Sequence, residues 1–154
     1  MTLEPSAGTI SDHRHLLAVR VYFEDTDASS LVYHASYLKF FERGRSDFLR
    51  LLGVHQGARL APGSMDGYFA VRSMEIEFRR PAFLDDALVV STGLEEVRGA
   101  SLVIDQAITR RGEPLAEARV KVALLGPKGR PRRLSAALRD KMLPYLAAMA
   151  GRGV

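Results

Sequence analysis

One long helical stretch, set between a single strand and four consecutive strand-like runs, leaves this chain few folds. Tyr33, Tyr37, Phe40, Phe41, Gly44, Phe48, Leu51 and Leu52 recur at spacings of three and four, which predicts one apolar helix face. Lys39, Arg43, Asp47 and Arg50 fall on the rest of its surface. Gly53 is a good helix stop. Gly44 sits on the apolar face, where it costs about 1 kcal/mol against alanine unless close packing against a sheet requires it. Residues 16–23 precede the helix and read as a strand rich in β-formers.

Four strand-like runs follow the loop at 54–67. In residues 68–80, Met74, Ile76 and Phe78 alternate with Glu75, Glu77 and Arg79, while Phe69 and Val71 alternate in the opposite parity. That switch predicts a β-bulge near Ser73. Residues 87–97 and 101–110 are the next two runs, and Arg111-Gly112-Glu113-Pro114 reads as a turn. Ala116, Ala118, Val120, Val122 and Leu124 alternate with charged residues, as in a strand with one buried face. No crossover helix separates these runs, so they must pair antiparallel. The expected fold class is α+β, with the sheet wrapped around the helix. Residues 135–149 read as a short C-terminal helix with Pro144 inside it.

A chain of 154 residues suits one domain. It contains no cysteine, which removes disulfides, cysteine-based zinc sites and a cysteine nucleophile together. No apolar run approaches the roughly 20 residues of a membrane span. Residues 1–15 hold no secretory apolar segment and read as a flexible leader. A cytoplasmic location is expected. The net charge of +4 is uneven. From Gly126 onward Lys128, Arg130, Arg132, Arg133, Arg139, Lys141 and Arg152 face one acid, Asp140. A nucleic-acid binder carries its basic stripe on the folded body, so nucleic acid is not an expected partner. The basic tail suits a solvated face or contact with a phosphate-bearing small molecule.

Residues 20–42 carry the most complete chemical arrangement. Glu24, Asp25 and Asp27 close the first strand, and seven residues after Asp27 the helix begins at His34. This sets an acid beside the open N–H groups of a helix N-terminus. The acid can serve as base or nucleophile, and the N–H groups can hold a developing oxyanion. The same acids also suit a solvated, turn-capping loop. His34 could polarise a carbonyl, orient a water or pack at the helix start. His13, His15 and His55 are scattered, so no metal site is expected. Glu42 suits a helix-surface ion pair with Lys39 or Arg45.

These residues match a known pattern. The words Val-Arg-Val-Tyr-Phe-Glu-Asp-Thr-Asp-Ala, Val-Tyr-His-Ala-Ser-Tyr and Phe-Glu-Arg between Val19 and Arg43 closely resemble the signature of the YbgC-type acyl-CoA thioesterases. That group lies within the 4-hydroxybenzoyl-CoA thioesterases of the hotdog fold. Ile-Glu-Phe-Arg-Arg-Pro-Ala at 76–82, Leu-Asp-Asp at 84–86, Arg-Gly-Ala-Ser-Leu-Val at 98–103 and Glu-Ala-x-Val at 117–120 also match.

The resemblance implies a five-stranded antiparallel sheet around a central helix, with hydrolysis of an acyl-CoA thioester and no cofactor. A homodimer or homotetramer is implied too. By position the catalytic aspartate falls on Asp27 and the family histidine on His34. Tyr33, Phe23, Arg79, Arg80, Ser101 and Lys128 are the expected substrate contacts, the basic ones toward phosphates. The expected layout is a leader at 1–15, a hotdog thioesterase domain at 16–134, and a C-terminal helix and basic tail at 135–154. Acyl-chain specificity is expected from the loop at 54–67 and the helix face near Phe40 and Phe41. Two departures stand out. A tyrosine common before Glu-Asp-Thr-Asp is Phe23, and the usual Gly-Gly is Ser29-Ser30. Two other readings share the framework: a thioesterase acting on acyl carrier protein, and a non-catalytic acyl-CoA-binding scaffold.

Overall fold

The computed structural model describes residues 1–59 and 67–146. Part of the loop at 54–67 and the end of the C-terminal segment therefore lie outside the described residues. Six strands form one antiparallel sheet: β1 (Thr9–Ser11), β2 (Arg14–Arg20), β3 (Tyr68–Phe78), β4 (Ala87–Val97), β5 (Ser101–Arg110) and β6 (Glu113–Leu125). Their spatial order is β1-β2-β4-β5-β6-β3. Helix α1 (His34–Leu51) packs on one face. A single turn, α2 (Gln56–Arg59), follows it, and α3 (Ala136–Met142) comes after the last strand. No described helix is long and apolar enough to cross a membrane.

The expected five strands are present as β2–β6, and β1 adds a sixth at the edge. Residues 9–11, expected within the leader, pair with residues 14–16. Asp12 and His13 make this possible, because both adopt positive φ (48° and 64°). Two such residues form the tight turn whose twist matches a hairpin. Arg111 and Gly112 do the same between β5 and β6 (φ 52° and 80°). Strand β6 therefore begins at Glu113, earlier than the sequence pattern suggests. Pro114 is tolerated there because the β5–β6 register shifts between Ile108 and Thr109. The bulge expected near Ser73 lies between Val71 and Ser73.

Helix α1 sits close to the sheet at Gly44. A Cβ there would lie 2.7 Å from Val90 Cγ1, 2.9 Å from Thr92 Oγ1 and 3.2 Å from Gln106 Nε2. Around it is a buried polar cluster. Gln106 donates to the Phe41 carbonyl and to Thr92 Oγ1, and Arg45 donates to Gln106 Oε1. Burial lowers the Arg45 pKa, against the opposing pull of Glu42. Glu42 itself accepts from Ser46 Oγ at 2.7 Å. Phe40 and Phe41 are fully buried in the core.

The C-terminal segment belongs to this core. Leu134, Leu138 and Met142 are buried, and Leu146 packs against them. Ser135 caps α3 by accepting the Leu138 N–H. The helix stops at Met142, shorter than expected, because Pro144 cannot continue it; Leu143–Tyr145 forms a 3-10 turn instead.

Candidate active site

Asp25 and Asp27 divide their work. Asp25 is buried, and its carboxylate accepts the Tyr22 N–H at 2.7 Å. Its carbonyl accepts the Tyr33 N–H and the Ser36 hydroxyl, which ties the loop to the first turn of α1. Asp27 is exposed at the loop tip. Its backbone closes the loop: Asp27 N–H donates to the Leu31 carbonyl, and Ser30 N–H donates to the Asp27 carbonyl.

The Asp27 carboxylate is held in its charged form. Ser29 donates both its hydroxyl and its N–H to Asp27 Oδ1. The hydroxyl, and then the N–H, lower the Asp27 pKa below its ordinary value. Such a carboxylate suits attack or proton abstraction, not proton donation. The loop needs Ser30 at φ 65°, a left-handed conformation. For a residue with a Cβ this costs about 1–2 kcal/mol, a cost the glycine of the resembling pattern avoids.

Helix α1 begins at His34 with no side-chain cap and no acid in its first turn. Its first N–H groups thus retain partial positive charge toward the loop. A cavity of about 390 Å³ joins the two features. Asp27 and His34 line it, together with Tyr37, Phe78, Arg79 and Arg80. The Tyr33 ring lies tilted against His34 (ring centroids 4.4 Å apart), and Phe78 meets both His34 (6.5 Å) and Tyr37 (5.5 Å). The Tyr37 hydroxyl accepts the Ala82 N–H, and Val32 N–H donates to the Ala82 carbonyl. These bonds fasten residues 81–82 against the helix start.

The structure therefore brings Asp27, His34, Tyr33, Arg79 and Arg80 together. The two arginines are already occupied. Arg79 pairs with Glu117 (2.8 Å) and Glu77 (3.1 Å), and Arg80 with Glu113 (3.0 Å). Phe23 is exposed on the 3-10 turn before the loop, outside the cavity lining. Ser101 and Lys128 lie at the opposite end of the sheet. Ser101 pairs with Ala123, whereas Phe78 pairs with Ala116. Seven residues of strand separate those positions, roughly 23 Å.

Sequence reasoning missed Tyr37, Phe78 and Pro81 as lining residues. Tyr37 and Phe78 read as ordinary core positions, and only the sheet pairing brings Phe78 beside the helix start. The face near Phe40 and Phe41 offers no open surface. Among the described residues, no group of three or more His, Asp or Glu side chains could hold a metal ion.

Known proteins carry the same pattern. Residues 30–117 match the family model of the thioesterase superfamily. The chain is 43% identical over 112 residues to the acyl-CoA thioesterase YbgC of Haemophilus influenzae, covering 73% of this chain and 81% of that one. It is 45% identical over 118 residues to the acyl-CoA thioester hydrolase YbgC of an Escherichia coli strain, covering 75% and 86%. A crystal structure of a probable thioesterase from Bartonella henselae superposes with a TM-score of 0.74 at 42% identity, covering 79% of this chain and 99% of that one. With an antiparallel sheet packed against one long helix, its loop-and-helix signature and these relatives, the chain belongs to the YbgC group of the thioesterase superfamily and has the hotdog fold.

Proposed function

We propose that this enzyme hydrolyses acyl-CoA thioesters in the cavity between Asp27 and the start of α1. The observation that carries the reading is an ionised, exposed carboxylate facing an uncapped helix N-terminus across one cavity. The thioester carbonyl enters between them. Its oxygen points to the His34 N–H. The Asp27 carboxylate either attacks the carbon, expelling coenzyme A thiolate and leaving a mixed anhydride that water hydrolyses to the free acid, or takes a proton from a water that attacks the carbon and expels the thiolate directly. The thiolate takes up a proton, and Asp27 returns to its carboxylate form. A preorganised donor at an oxyanion is worth roughly 3–4 kcal/mol. Acyl-CoA is the substrate named for both YbgC relatives, which supports the same class here.

The working unit in this reading is a dimer paired through β3. This strand is eleven residues long, stands at the end of the sheet, and has Val71 half exposed. Such an edge invites pairing. Antiparallel pairing of two β3 strands sets the Phe78 end of one copy beside the Tyr68 end of the other. That arrangement moves Lys128 of one copy toward the thioester cavity of the other, and explains how residues far apart in one chain could share a substrate.

An acyl-CoA panel with free-thiol detection tests the activity. Thiol release above the uncatalysed rate for at least one acyl-CoA is expected; none across short, long and aromatic acyl groups refutes it. Light scattering tests the dimer, and a monomer at micromolar concentration with full activity refutes that part.

A further inference from the structure

We propose that a groove between β2 and the last turns of α1 binds a second, phosphorylated ligand bearing a flat ring, of nucleotide size. It shares no lining residue with the thioester cavity. The proposal is independent of the thioesterase reading.

The groove exists because β1 is short. It covers only residues 14–16 of β2, so Leu17–Arg20 present an open edge on that side, while β4 covers the other. Helix α1 runs alongside. Arg43, Ser46, Asp47 and Arg50 are spaced by three and four and share one helix face. The space between holds about 430 Å³, within the range of small-ligand sites.

Arg20, Arg43 and Arg50 line it, and no described carboxylate pairs with any of them. Arg20 donates to the Asp85 carbonyl, and Arg43 lies over the Phe40 ring. Six other arginines behave differently: Arg14, Arg79, Arg80, Arg98, Arg110 and Arg119 are each ion-paired. Two acids also line the groove, and both accept hydrogen bonds. Asp47 Oδ2 accepts the Gly8 N–H at 2.7 Å and lies 2.6 Å from Nε2 of the buried His15. Glu42 accepts from Ser46.

Guanidinium groups match phosphate in fork geometry. Tyr22 also lines the groove and is 61% exposed, an aromatic surface free to stack on a ring. Charge and ring together favour a nucleotide over a bare anion.

The test uses calorimetry on the full chain with 3′,5′-ADP, pyrophosphate and anionic phosphatidylglycerol vesicles as probes. Wild type is expected to bind 3′,5′-ADP more tightly than pyrophosphate. The double variant Arg43→Gln/Arg50→Gln, both at exposed positions, should lose about tenfold or more in affinity, about 1.4 kcal/mol. Arg79→Gln/Arg80→Gln should change it less than about twofold on the same scale. Tyr22→Ala should weaken 3′,5′-ADP and spare pyrophosphate. Melting curves confirm that each variant is folded. Failure of wild type to bind 3′,5′-ADP overturns the proposal. So does a loss in Arg79→Gln/Arg80→Gln that equals the loss in Arg43→Gln/Arg50→Gln, or binding of vesicles alone. Equal affinity for 3′,5′-ADP and pyrophosphate overturns the ring preference.

Discussion

Ser29 donates two hydrogen bonds to one oxygen of Asp27, one from its hydroxyl and one from its backbone N–H. Both stabilise the carboxylate over the acid, so the Asp27 pKa lies below its ordinary 3.8. A base or nucleophile works only when ionised. The acidic limb of the kcat/KM profile, where Asp27 takes a proton, should therefore fall at unusually low pH. Ser29→Gly keeps the N–H bond and removes the hydroxyl bond. Its limb should move to higher pH, toward the ordinary aspartate range, while activity near pH 7 loses nothing through ionisation. Rate profiles from about pH 3 to 7 on folded protein decide this, since ordinary aspartates titrate near 3.9. A limb that stays in place or moves lower contradicts the role of the hydroxyl.

Asp27→Asn removes the charge and nearly preserves the shape. Asp27 is exposed, and the backbone bonds that close its loop are untouched by the change. The melting temperature should stay within about 2 °C, while turnover falls by roughly 10³ or more, as expected when a group acting in the transition state is lost. Hydrolysis within a few fold of wild type would remove Asp27 from the mechanism.

Much of this architecture was legible in the sequence, for identifiable reasons. Strands β4 and β5 begin and end where the alternation does, because Arg98-Gly99 and Gly112 interrupt it. The bulge showed as a change of parity on either side of Ser73. The site was legible where it is local: eight residues carry both Asp27 and His34. What could not be read was the part built by distant pairing. Phe78 reaches His34 because β3 pairs with β6 and Ala82 is pinned to Tyr37 and Val32. Strand β1 was missed because Asp12 and His13, at positive φ, lack the Asn-Gly type of sequence that marks such a turn. The left-handed Ser30 lies inside a short loop closed by the bridge between Thr26 and Val32, a conformation that a serine does not advertise in sequence.

Gly44→Ala sets helix propensity against packing. Alanine gains about 1 kcal/mol in an isolated helix. Its Cβ, however, would press on Val90 and Thr92 at under 3 Å and on the Gln106 amide that holds Phe41 and Thr92. Overpacking a dense interior costs about 1–3 kcal/mol, and a displaced buried hydrogen bond adds about 1 more. The packing side prevails. A net loss of about 1–3 kcal/mol is expected, or roughly 2–12 °C in Tm for a chain of this size. An increase in Tm would show that α1 can move away from the sheet at no cost.

The basic C-terminal segment joins buried apolar residues to exposed charges, and the two can be tested apart. Leu134, Leu138 and Met142 are buried in the main core, so removing everything after Gly126 empties part of it. Leu138→Ala or Met142→Ala should each cost about 2–5 kcal/mol. Against a typical total of about 5–15 kcal/mol, deletion of the whole segment should unfold the protein. Any change in KM on truncation is therefore uninterpretable as substrate binding. The charges can be tested alone, because Lys128, Arg130 and Arg133 are exposed and Arg132 is only partly buried. Changing all four to glutamine should leave stability within about 1 kcal/mol, since none has an ion pair among the described residues. If the segment meets the phosphates of coenzyme A across the β3 pairing, KM for acyl-CoA should rise several fold at low salt. The difference should shrink near physiological ionic strength, where exposed charges are screened within about 8 Å. An unchanged KM at low salt would leave Leu138 and Met142 as the reason this segment is needed and remove its basic residues from substrate binding.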